Sequence, residues 1–276
     1  MKLIFLDADG TLFHHEGYIP DSAIKACIQA QYNGHKIILC TGRQKAEIFG
    51  DMLKVDYDAI IAGSGATIEC EHKTIQENIF TKDQREYLVN YLESNQIPAC
   101  FETKKTIYAS KETKNIMYQM MIDQTKDKTK EEAKKHAMSV LYYQTEITDD
   151  PKNLKFSKVS FIQCHIPYNQ VYSDLKDKFD VIPATFAPLG KESGEIGSYD
   201  ITKGTGVKSV IQYFKANIKD TIAIGDGHND FKMFENVNYS IAMGNAPDEV
   251  KAKANEVTTS LENDGIYNAF KKLNLI

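Results

Sequence analysis

Short apolar runs that stop abruptly at a polar, glycine-containing turn recur at both ends of this chain. KLIFL breaks off into Asp7-Ala8-Asp9-Gly10-Thr11, KIILC into Thr41-Gly42-Arg43, and TIAIG into Asp226-Gly227-His228-Asn229-Asp230. Continuous apolar runs of this length, bounded by turn signals, predict strands buried on both faces, as in a parallel sheet. The intervening PDSAIKACIQAQYNGH predicts a helix that starts at Pro20, buries Ala23, Ala26, Cys27 and Ala30, and stops at Gly34. RQKAEIFGDMLK predicts a second helix, followed by the strand DAIIAG. Towards the C-terminus the helices VKSVIQYFKAN, FKMFENV, APDEVKAKAN and GIYNAFKKLN alternate with the strands TIAIG, YSIAM and EVTTS. Strand–helix alternation of this kind is the pattern of a right-handed parallel α/β sheet.

The middle of the chain does not keep this rhythm. DQREYLVNYLESNQ, the charged KDKTKEEAKKHAMSVLYYQ and YNQVYSDLKDKF read as helices, whereas KTIYAS, KVSFIQCHI and DVIPATFAPLG read as extended. The expectation is an α/β core formed by residues 1–80 and 189–276, with a separate α+β unit, 81–188, inserted into it. One large continuous sheet is the alternative, and the change of rhythm argues against it.

A chain of 276 residues is long enough for two such units. Its net charge of −5 disfavours a general nucleic-acid binder, which needs a basic face to neutralise phosphates. Cys27, Cys40, Cys70, Cys100 and Cys164 are scattered, odd in number and without a CxxC pair, as expected of thiols in a reducing cytoplasm. The apolar start, Leu3 to Leu6, is too short for a signal-peptide core, and no later run approaches a membrane span. These features predict a soluble cytoplasmic protein whose partner is a small molecule, not a nucleic acid or a membrane.

In open α/β sheets ligands bind beyond the carboxyl ends of the strands. A parallel sheet would therefore gather the polar strand ends at one rim, with Lys203-Gly204 arriving just before the helix that leads into TIAIG. Carboxylates, a hydroxyl and a lysine together suit a divalent cation and a phosphoryl group. A Mg²⁺ site typically takes one or two carboxylates, waters and phosphate oxygens, and Asp7 and Asp226 could supply the carboxylates. With its charge offset by the cation, Asp7 could attack phosphorus. Asp9, two residues on, could protonate the leaving oxygen and later activate water. Thr41 could donate to a phosphoryl oxygen and Lys203 could balance charge in the transition state. Asn229 and Asp230 could orient Lys203 or the waters of the cation. A calcium loop is a poor rival: it needs glycine at its sixth position and an acid at its twelfth, whereas Gly10 is fourth and Tyr18 twelfth.

The ordered set DxDGT, TGR, Lys203-Gly204 and GDGxND resembles the haloacid dehalogenase superfamily of aspartate-nucleophile phosphatases. The insertion falls between the second and third motifs, a placement similar to that of the Cof-type branch with a C2 (type IIB) cap. The resemblance implies a Rossmann-like core that carries the chemistry and a cap that helps to select the substrate. It implies that Asp7 is the nucleophile and a Mg²⁺ ligand, and that Asp9 is the acid/base, with its backbone carbonyl on the metal. It further implies that Thr41 and Gly42 bind phosphate, that Lys203 is the third-motif lysine, and that Asp226 is the remaining carboxylate on the metal. Asn229, matched to phosphate binding, and Asp230, a supporting residue, form the polar pair that follows. One departure is visible: Gly63-Ser64-Gly65-Ala66 stands where the family often has Asn-Gly-Ala, and Ser64 has the shorter reach.

Other polar and apolar clusters carry plainer readings. His14-His15 reads as a loop pair, His228 has no assigned role, and Lys126 to Lys135 reads as a solvated helix face. Met117, Met120 and Met121 read as core of the inserted unit. Arg43 contacts an anion at the rim or caps its helix, and stays outside the catalytic set. The function expected is a Mg²⁺-dependent phosphomonoester hydrolase acting through an aspartyl-phosphate. Its substrate would be a small phosphorylated metabolite, either a sugar phosphate or a phosphorylated cofactor. A phosphotransferase or sugar phosphomutase of the same fold is one alternative. A non-catalytic sensor of phosphorylated ligands is another, and the complete set of chemical positions argues against it.

Overall fold

Within KLIFL, successive side chains must point to opposite faces of a sheet, so four apolar residues in a row require cover on both sides. The computed structural model, which describes residues 1–184 and 189–276, provides that cover. Ile4 and Leu6 pack with Ile37, Leu39, Ile222, Ile224 and Ile241, beneath the helices Asp21–Tyr32 and Gly265–Lys272. Leu3 and Phe5 pack on the other face with Ile38, Ile61 and Ala223, beneath the helix Lys203–Tyr213. Each such side chain, fully withdrawn from water, contributes about 1.5–3 kcal/mol before the entropy of ordering it is counted.

The sheet has eight strands in the order Glu256–Val257, Tyr239–Ala242, Thr221–Gly225, Leu3–Leu6, Lys36–Cys40, Ala59–Ala62, Thr67–Cys70, Lys73–Glu77. The first six are parallel; the last two form an antiparallel hairpin that the sequence reading did not anticipate. The expected helix RQKAEIFGDMLK is replaced by two 3₁₀ turns, Lys45–Glu47 and Gly50–Lys54. Extended Ile48 and Phe49, followed by Gly50 at φ +58°, interrupt any α-helix there.

The chain divides into two compact units. One comprises Met1–Glu77 and Ile201–Ile276, the other Asn78–Asp200. The second unit therefore runs on to Asp200 where the sequence reading returned to the core at 189. The cause is the strand Gly194–Gly197, which pairs antiparallel with both Asp180–Pro183 and Lys158–Phe161. This unit is a six-stranded sheet in the order Asp180–Pro183, Gly194–Gly197, Lys158–Phe161, Ala99–Glu102, Ile107–Ala109, Thr145–Ile147. Helices Lys82–Ser94 and Tyr168–Leu175 share one core with Phe101, Val159 and Phe161. Met117, Met120 and Met121 lie in a second core with Cys100, Ile107 and Met138. The expected charged helix of residues 126–144 is split into Lys130–Lys135 and Ala137–Gln144, because His136 is extended (ψ 135°). Of the extended stretch DVIPATFAPLG, residues 185–188 lie outside the described residues. Among the described residues no helix is long and apolar enough to cross a membrane.

The sheet contact of helix Lys203–Tyr213 sets where Lys203 is held, and it is made through a glycine. A Cβ on Gly206 would lie 2.4 Å from Ile61 Cγ2. Gly206→Ala would ordinarily stabilise a helix by about 1 kcal/mol; here it should destabilise by about 1–3 kcal/mol. Thermal unfolding of Gly206→Ala alone and in an Ile61→Ala background checks this. The penalty should shrink or reverse once Cγ2 is gone, and equal penalties in both backgrounds would refute the contact.

Candidate active site

Asp7 follows the central strand directly, and its backbone N–H still donates to Ile224 O at 2.9 Å, so the sheet fixes its position. Its buried carboxylate accepts from Lys203 Nζ at 2.5 Å. Lys203 opens the helix Lys203–Tyr213, whose first turn is capped by the Thr202 hydroxyl accepting from Thr205 N. The same ammonium donates to Asp230 Oδ1 at 2.6 Å. Asp230 is fully buried, and its other oxygen accepts from the backbone N–H groups of Asp226 and Gly227, both at 3.0 Å. A Cβ on Gly225 would come within 2.4 Å of that oxygen, which is why a glycine ends this strand.

The turn after Asp7 closes around the Ala8 carbonyl, which accepts from Thr11, Leu12 and Phe13 N–H. Gly10 sits at φ +83°, and a Cβ there would meet Asp226 Oδ2 at 2.2 Å. Thr11 Oγ1 donates to Asp226 Oδ1 at 2.9 Å. Asp9 projects outward from the turn, half exposed, into a two-pronged pair with Arg43: Nη2 to Oδ1 at 2.6 Å and Nε to Oδ2 at 2.8 Å. Thr41 is buried at the end of its own strand, where its hydroxyl accepts from Arg43 N and its carbonyl from Ser64 N. Ser64 takes a left-handed conformation (φ 54°, ψ 28°) and brings its Oγ to 3.7 Å from where a Cβ on Gly42 would stand.

Two groupings of the predicted residues result. Asp7, Lys203 and Asp230 form one buried network, which the partly exposed Asp226 joins through its backbone N–H; Thr41, Gly42 and Ser64 belong to a second pair of loops, and Asp9 stands apart in its pair with Arg43. Asn229 joins neither: it is exposed in the turn His228–Asp230, its Oδ1 lying over Gly227. Arg43, left outside the catalytic set, is the partner of Asp9, and Thr11 and Asn245, unassigned from sequence, both reach Asp226. The threonine belongs to the DGT motif and could have been suspected; Asn245 lies in an unremarkable Gly-Asn-Ala stretch. His14 and His15 are loop residues, with His14 Nε2 3.4 Å from Glu262 and its Nδ1 accepting from Glu16 N. They line a cavity of about 210 Å³ with Asp9, Gly10, Asn245, Leu261 and Glu262.

The electrostatics follow from burial. Asp7 is pushed well above the ordinary carboxylate range by desolvation and by Asp230 and Asp226, against the pull of Lys203. Burial also raises Asp226, to about 6, against the Thr11 hydrogen bond and with the repulsion of Asp230. Lys203 is held above the usual lysine value: burial pulls it down, but Asp230 and Asp7 prevail. Asp7, Asp226 and Asp230 each bring an oxygen within 4.8 Å of the others, and among the described residues one ammonium, that of Lys203, is paired with them. The excess negative charge and the all-oxygen donor set fit a hard divalent cation. Asp230 is already occupied by three donors, so Asp7 and Asp226 are the carboxylates with capacity left to hold one.

Because Asp226 titrates near 6 in the fold and near 3.8 ordinarily, the folded protein binds its proton more tightly than the unfolded chain. Its contribution to stability is complete at low pH and is lost as pH rises through about 6. In a chelator, Asp226→Asn should therefore be more stable than the parent at pH 7.5, by about 1–3 kcal/mol. The difference should vanish below pH 4–5. Urea unfolding of both proteins across this range checks the prediction, and a less stable variant at pH 7.5 would contradict it.

The comparisons with known proteins agree with this architecture. The family model of haloacid dehalogenase-like hydrolases matches residues 4–270. YkrA of Bacillus subtilis (strain 168) is 26% identical over 293 residues, covering 100% of this chain and 98% of that protein. The 5-amino-6-(5-phospho-D-ribitylamino)uracil phosphatase YwtE of the same organism is 24% identical, with 96% of each chain covered. The solved structure of the subclass IIB sugar phosphatase BT4131 superposes with a TM-score of 0.77 at 23% identity, over 100% of both chains. The chain belongs to the haloacid dehalogenase-like hydrolases, and it is a phosphatase of that family.

Proposed function

We propose that this phosphatase hydrolyses small phosphomonoesters with the help of Mg²⁺, through a phosphorylated Asp7. The observation that carries the reading is Asp7 itself, a buried carboxylate fixed at a strand end, bound to Lys203 and flanked by Asp226. A divalent cation held by Asp7 and Asp226, with the Asp9 backbone carbonyl, would supply the positive charge that lets an anionic phosphoryl group approach a carboxylate.

An Asp7 oxygen attacks phosphorus, and the bond from phosphorus to the ester oxygen breaks. Asp9, released from its two-pronged pair with Arg43, gives its proton to that leaving oxygen. Asp9 then takes a proton from a water molecule, which attacks the same phosphorus. The bond from phosphorus to Asp7 breaks, releasing inorganic phosphate and restoring the carboxylate. Lys203 counters the charge that builds on the phosphoryl oxygens, and Asp230 keeps its ammonium aimed. Thr41 and Gly42 hold the phosphoryl group from the neighbouring loops. Asn229 retains only an outer role, since its amide is exposed.

A sugar phosphate or a phosphorylated cofactor is the substrate class we favour. YwtE is named for a phosphorylated ribityl compound and BT4131 as a sugar phosphatase, which supports that choice. The unit Asn78–Asp200 is assigned to substrate selection. We assign the activity to the cytoplasm, in keeping with five buried, scattered cysteines.

Phosphate release with Mg²⁺ tests the reading. Asp7→Asn should abolish turnover while the fold persists. Asp9→Asn should slow a sugar phosphate by about 10²–10⁴-fold, and an aryl phosphate with a good leaving group much less. Turnover surviving in Asp7→Asn, or equal losses on both esters in Asp9→Asn, would refute the roles given to these residues.

A further inference from the structure

The stretch Met243-Gly244-Asn245-Ala246 follows the strand Tyr239–Ala242 and has no part in the mechanism above. It is nevertheless bound closely to the loop 258–265. Gly244 N donates to Thr259 O at 3.0 Å, and a Cβ on Gly244 would stand 2.6 Å from Ser260 N. A Cβ on Gly265 would stand 2.4 Å from Thr259 O. Only glycines allow the two backbones to approach this closely, and the approach places Asn245 at the rim. There its amide joins three segments. Oδ1 accepts from Leu261 N at 3.0 Å, while Nδ2 donates to Gly10 O at 2.9 Å and faces Asp226 Oδ2 at 3.4 Å.

We infer that Asn245 is a positioning residue for the cation-holding carboxylate Asp226. Asp226 then has a donor for each oxygen, the Thr11 hydroxyl on Oδ1 and the Asn245 amide on Oδ2. The same amide ties down the Gly10 carbonyl, so the turn bearing Asp9 and the loop bearing Asp226 move together. Donors of this kind fix the orientation of a ligating carboxylate and favour its charged form in a desolvated place. On its other side the amide is held by a single contact, Leu261 N. The inference rests on the reading of Asp226 as a cation ligand.

The test is Mn²⁺ binding, measured by electron paramagnetic resonance or calorimetry on the full chain, alongside phosphate release. Asn245→Ala should raise the Mn²⁺ dissociation constant about 10-fold. Its kcat should recover at high cation concentration, with KM for the phosphate ester unchanged. Thr259→Val loosens the same loop, removing the Thr259 Oγ1 bonds to Asn263 O and Asn268 Nδ2 without touching Asn245. It should lower Tm yet leave the Mn²⁺ constant at the parent value. If Asn245→Ala does not fold, Asn245→Ser, whose hydroxyl cannot span all three partners, should show the same weakening. An unchanged constant in the Asn245 variants, or equal weakening in Thr259→Val, overturns the inference while leaving the phosphatase reading intact. A parent protein that releases phosphate yet binds neither Mn²⁺ nor Mg²⁺ overturns both the inference and the cation dependence on which it rests.

Discussion

The site depends on one buried ammonium. Lys203 is fully enclosed, and a lysine so placed keeps its charge only if anions replace the lost water. Asp7 and Asp230 replace it, each within hydrogen-bond distance. Asp230 can serve because two backbone N–H groups hold its far oxygen. Asp7 can serve because the central strand leaves it no freedom. The ion network thus joins the first strand, the fourth-motif loop and the start of a helix, three parts of the chain that are remote in sequence. The glycines at 206 and 225 are further conditions of that junction, one letting the helix reach the sheet and the other letting Asp230 reach its loop.

This arrangement places more negative than positive charge in a desolvated volume. Asp7 and Asp226 are both held away from their ordinary ionisation, which costs folding stability whenever both are charged. In the mechanism proposed, that cost is offset by a divalent cation, which is not part of the chain. Thr11 and Asn245 limit the cost at Asp226, and Arg43 offsets Asp9 outside the buried volume.

Much of the fold and of the buried network was legible in the sequence, for a definite reason. A parallel sheet brings the carboxyl ends of its strands to one edge, so residues placed just after KLIFL, KIILC and TIAIG had to meet there. Lys203 was legible through its spacing and motif order. What was not legible depended on contacts with no local signature. RQKAEIFGDMLK has helical composition, yet extended Ile48 and Phe49 divide it, and the hairpin Thr67–Cys70 with Lys73–Glu77 extends the sheet without a strong turn signal. The segment 189–200 reads as a return to the core, although its strand Gly194–Gly197 completes the other sheet. Asn229 shares its motif with Asp226 and Asp230 but turns to solvent, whereas Arg43 and Asn245 act through partners far away in sequence.

The central claim is that Asp7 becomes covalently phosphorylated. The direct measurement is to mix the enzyme with Mg²⁺ and a phosphomonoester, quench in acid during turnover, reduce with borohydride and map the peptides by mass spectrometry. An acyl phosphate at Asp7 would be reduced there to homoserine, and the account predicts that product at Asp7 and at no other carboxylate. Phosphate release at full rate with Asp7 unreduced in every quenched sample, or reduction at a different aspartate, would contradict it.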